Sequence, residues 1–166
     1  MAARPVRRHW PADFTTARNY MQFWDRSVDL QKLRRHLKTT RSELVVLSAC
    51  RTSVGDAYAE LGFSGLAVRL GAKRAVASLW YVEDEATLAL MNEFYRRLQT
   101  HASIPIPSEA LRQAQISMIQ GHTRIQNKQL IGDGYQIPLP SSLRRDDRTF
   151  SHPYYWAGFN MIGNPW

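Results

Sequence analysis

The chain holds one cysteine, Cys50, and a thiol is the strongest nucleophile among the ordinary side chains. It follows the apolar run at 44–49 (LVVLSA) and precedes the polar stretch at 51–60 (RTSVGDAYAE). A cysteine becomes reactive as the thiolate, which needs a basic neighbour, a helix N-terminus or a paired histidine. Arg51 adjoins it in sequence, although adjacency does not aim the guanidinium at the sulfur. A cysteine in this place also serves as a small buried apolar residue. Position alone leaves both readings open.

Five histidines are the candidate bases. His9 stands in VRRHWPADF, upstream of Cys50, next to a tryptophan and a proline. His36 sits among Arg34, Arg35 and Lys38 on an expected helix and reads as solvent-facing. His101 and His122 fall at expected helix ends, where the dipole favours them for ordinary stability reasons. His152 opens the phrase HPYYW. The acidic triplet Glu83, Asp84 and Glu85 follows an apolar run. It can wall a pocket for a basic side chain, with Asp84 as the candidate substrate contact. Equally, it can cap a helix and complement its dipole. Gly55, Gly62 and Gly65 match neither a dinucleotide fingerprint nor a phosphate loop, which argues against nucleotide binding.

The elements that must hold these groups alternate. Residues 20–24 (YMQFW) predict a short strand, and 28–37 a helix with Leu30, Leu33 and Leu37 on one face. The run at 44–49 suits a strand buried on both faces of a parallel sheet. Residues 61–70 follow as a helix with small residues, ended by Gly71. Residues 74–80 (RAVASLW) predict a second buried strand. An amphipathic helix starts at Asp84, with Leu90, Met91, Phe94, Tyr95 and Leu98 on one side. Another spans 108–120, with Ser108 as its N-cap. Gly132-Asp133-Gly134 between RIQNKQLI and YQIPL is a hairpin signal. Residues 154–162 (YYWAGFNMI) predict a closing aromatic strand. The repeated strand–helix order predicts an α/β fold with a mostly parallel sheet flanked by helices. Cys50 would then lie at a strand's C-terminal end, where such sheets place their reactive groups.

Composition limits the alternatives. The 166 residues, 44% hydrophobic and 22% charged, suit one folded domain. A single cysteine excludes an intrachain disulfide and fits a reducing, cytoplasmic setting. No secretory signal or membrane span is legible. The formal net charge of +8 is spread over separated basic pairs without a nucleic-acid-binding signature, which disfavours a nucleic-acid partner.

Three phrases in order, LVVLSACRTSVG, GFSGLAVRLGAKRAVASLWYVEDEAT and HPYYWAGF, resemble the C-terminal part of the CHAT domain, a caspase-like family of cysteine peptidases often joined to TPR repeats. The resemblance covers residues 14–166 and leaves 1–13 as a non-matching basic N-terminus. It implies a caspase-like sheet, with Cys50 as the nucleophile of a Cys–His pair. Peptide-bond hydrolysis would pass through a thioester, with no metal or cofactor. A protein or peptide substrate follows, with a TPR-containing protein or an N-terminal half-domain as partner. The chain departs from the pattern at the histidine. Where the family carries a phrase resembling A-T-H-G after an apolar strand, this chain has VRRHWPADF. His9 is near the expected place but lacks both the following glycine and the strand before it. The expectation is therefore an N-terminally truncated domain, weakly active or inactive alone, or else a non-catalytic interaction module or gene remnant.

Overall fold

The structure, a computed structural model, describes residues 20–22, 27–29, 35, 42–48, 68, 71–100, 106–144 and 146–164. These form nine strands and two helices. The strands are β1 (Tyr20–Gln22), β2 (Ser27–Asp29), β3 (Leu44–Leu47), β4 (Arg74–Ser78), β5 (Arg124–Gln126), β6 (Gln129–Gly132), β7 (Tyr135–Pro138), β8 (Arg148–Thr149) and β9 (Phe159–Gly163). The helices are α1 (Asp84–Thr100) and α2 (Pro107–Ile119), and a single 3-10 turn spans Pro153–Tyr155.

The fold is mixed α/β, and the sheet differs from the mostly parallel one expected. β3 and β4 pair in parallel, but β9 joins the other side of β4 antiparallel, giving the order β3-β4-β9. A second sheet, β7-β6-β5-β8, is antiparallel throughout, and β1 and β2 form a separate antiparallel pair. The physical reason is that an apolar run specifies burial and not direction. β4 is buried along its whole length, as an apolar run predicts, whereas β3 is half-buried.

Several elements are shifted from their expected places. Val28, expected in a helix, pairs instead with Met21 in the β1–β2 ladder, while Arg35 further on is helical. The segment RIQNKQLI is itself a hairpin. Asn127 and Lys128 both take positive φ (53° and 61°), as a two-residue type I′ turn requires, and Ile125 then faces Leu130 across the ladder. The second turn, Asp133-Gly134, joins β6 to β7 as expected. α2 starts at Pro107 rather than Ser108, and Ile106 occupies the N-cap without a side-chain bond. Proline suits the first helical position because the N–H it lacks would be unpaired there anyway. The closing strand begins at Phe159, since 153–155 turn into the 3-10 segment.

One core joins the helices and the two larger sheets. Leu90 and Phe94 of α1, Met118 of α2, Val76 and Phe159 of the first sheet, and Ile125, Leu130 and Phe150 beside the second belong to a single buried cluster. Tyr95, expected on the apolar side of α1, is exposed; Glu93 is fully buried in that region instead. Arg96 donates to the Glu93 carboxylate at 2.6 Å and Arg97 at 2.7 Å, while Arg97 also reaches Asp133 at 2.8 Å. Two arginines thus satisfy a buried carboxylate and tie the end of α1 to the β6–β7 turn. Among the described residues no helix is long and apolar enough to cross a membrane.

Candidate active site at the C-terminal edge of the parallel strands

β3 and β4 run in register from Leu44 opposite Arg74 to Leu47 opposite Ala77, so both strands leave the sheet at the same edge. Ser48 follows β3 there. Cys50, two residues further along the sequence, lies outside the described residues, as do His9, His36 and His101. β9 enters at this edge with Phe159 opposite Ser78. Three strand ends therefore converge at the edge that follows Leu47 and Ser78.

The far wall of the edge is built by the turn at 151–158. Leu79 N–H donates to the Gly158 carbonyl at 2.8 Å, and Trp80 Nε1 donates to the Tyr154 carbonyl at 2.9 Å. The Trp80 ring lies flat against Gly158, where a Cβ would stand 2.8 Å from Cε2; no larger residue fits without moving the indole. Gln115 of α2 donates to the Trp156 and Phe159 carbonyls, fixing the same turn from behind. Leu79, Tyr81 and Tyr154 remain exposed on the rim.

His152 is on this turn, and its geometry limits its chemistry. Its Nδ1 accepts a hydrogen bond from Tyr154 N–H at 3.2 Å, so the neutral ring carries its proton on Nε2. The lone pair that a general base must offer is thus occupied by the backbone. His152 caps the 3-10 turn. His122 is placed elsewhere. Its Nδ1 lies 3.5 Å from Asp133, which Arg97 binds near the C-terminal end of α1. At about 1.5 Å per residue, Arg97 stands roughly 20 Å along the helix from Asp84.

The acidic triplet sits where β4 leads into α1. Glu83 holds the N-cap position, its carbonyl accepting from Thr87 N–H at 2.9 Å, and Asp84 and Glu85 occupy the first turn. The helix-start reading therefore holds for all three. The carboxylates are nevertheless used differently. Glu83 accepts from Arg148 Nη1 at 2.8 Å, and Glu85 lies 3.2 Å from Nη2 and accepts from the Arg144 backbone N–H at 2.5 Å. Burial works against the Glu85 carboxylate, but the Arg144 N–H and the Arg148 guanidinium outweigh it and hold its pKa below the ordinary value. Asp84 is exposed and no described residue binds its side chain.

The CHAT-domain family model matches residues 12–164. The chain belongs to the CHAT-domain family. CHAT domains are a family of caspase-like peptidases. Searches of curated proteins and of solved structures found no match.

Sequence reasoning missed Arg148, the residue that organises the acidic rim. It reads as one charge of a loop, RRDDR, and nothing local announces a partner at Glu83. Its neighbour Phe150 is the available signal, because an aromatic beside an arginine at a strand start suggests that the stem is covered. Among the described residues no cluster of three metal-ligating side chains is present.

Proposed function

We propose that this CHAT domain, taken over residues 14–166, is built as a cysteine endopeptidase with Cys50 as nucleophile and acts weakly or not at all by itself. The observation that supports this reading is the shared exit of β3 and β4 at one edge, with Asp84 exposed and unbound among the described residues at the start of α1; the Cys50 phrase follows β3 in sequence. The caspase-like sheet of the family would supply that edge. In the proposed reaction the Cys50 sulfur attacks the scissile carbonyl, the amine leaves with a proton, and water then hydrolyses the thioester. Asp84 recognises a basic side chain of the peptide. A base is the missing part. His152 has its lone pair engaged and His122 is tied to the opposite end of α1, while His9 lacks the family's surrounding phrase. General-base help is worth roughly 10²–10⁴-fold, so its absence leaves little turnover. An N-terminal half-domain or a TPR-containing protein is the partner class that would complete the site.

The second reading is a non-catalytic interaction module. The occupied lone pair of His152 and the exposed Leu79, Tyr81 and Tyr154 favour it. Peptide-cleavage assays on the wild type and on Cys50→Ala separate the two. Any cleavage lost in Cys50→Ala supports the peptidase reading. Equal, background-level cleavage in both, together with an unreactive Cys50 thiol, supports the module.

A further inference from the structure

We draw no further inference here: the strongest candidate, the exposed apolar patch of Leu79, Tyr81 and Tyr154 on the rim between the end of β4 and the turn at 151–158, carries none because nothing in the structure shows what covers it.

Discussion

At the scale of single residues, the buried polar groups respond most directly to substitution. The Tyr135 hydroxyl lies toward Glu93 and Thr123, yet it is buried and makes no well-formed hydrogen bond among the described residues. Burial, with the Glu93 charge beside it, pushes its pKa well above the ordinary value of 10.0. A raised folded value means that the protonated form stabilises the fold below the unfolded pKa and that this contribution is lost as pH rises beyond it. Tyr135→Phe should therefore be neutral or stabilising by up to about 1 kcal/mol at pH 7. Its melting temperature should also fall less than that of the wild type above pH 10. Glu85 has the opposite sign. Its lowered pKa contributes stability above the unfolded value of 4.5 that is lost as pH falls through the folded one. Melts of Glu85→Gln from pH 7 to pH 3 should show a lower starting point and a flatter acid limb than the wild type; parallel curves would contradict this assignment.

At the scale of elements, α1 joins the two sheets, and Glu93 is its polar anchor. Glu93→Gln leaves Arg96 and Arg97 without their shared carboxylate and should cost about 2–3 kcal/mol. The arginines are 27% and 26% exposed and can regain water, so the cost stays at the low end; chemical denaturation measures it. β9 is held by a backbone requirement. Gly163 has φ of 109°, and a Cβ there would collide with the Lys73 carbonyl, so Gly163→Ala should lower stability and loosen β9 from β4, read as faster amide exchange at Ala75 and Ala77. The apolar runs made β3, β4 and the body of α1 legible, since burial is what such patterns record. Strand direction was not legible, and β9 therefore reversed the expected parallel sheet. The Asn127-Lys128 turn was hidden because lysine rarely takes positive φ, although the apolar pair Ile125 and Leu130 brackets it. The burial of Glu93 has no signal in the sequence, because arginines one turn on also accompany an exposed helix glutamate.

At the scale of the whole molecule, a CHAT-family chain brings an acidic helix start and an aromatic turn to the edge where β3 and β4 end. The family was legible from three phrases in their order along the chain. The rim was legible only in part. The acidic triplet could be named from sequence, but the binding of Glu83 and Glu85 by Arg148 depends on a contact between residues far apart in the chain. The Trp80–Gly158 contact makes a related demand on the fold. Gly158→Ala should displace the indole and unseat the turn at 151–158, read as a change in tryptophan fluorescence and a loss of about 1–3 kcal/mol. The most direct test of the central claim is the rate at which Cys50 is alkylated by an arginyl peptide chloromethyl ketone, compared with its neutral analogue and followed by mass spectrometry. The account predicts modification at Cys50 about fivefold faster with the arginyl probe, the worth of one exposed charge pair, and loss of that advantage in Asp84→Asn. Equal rates for the two probes, or a Cys50 that neither modifies in the folded chain, would contradict it.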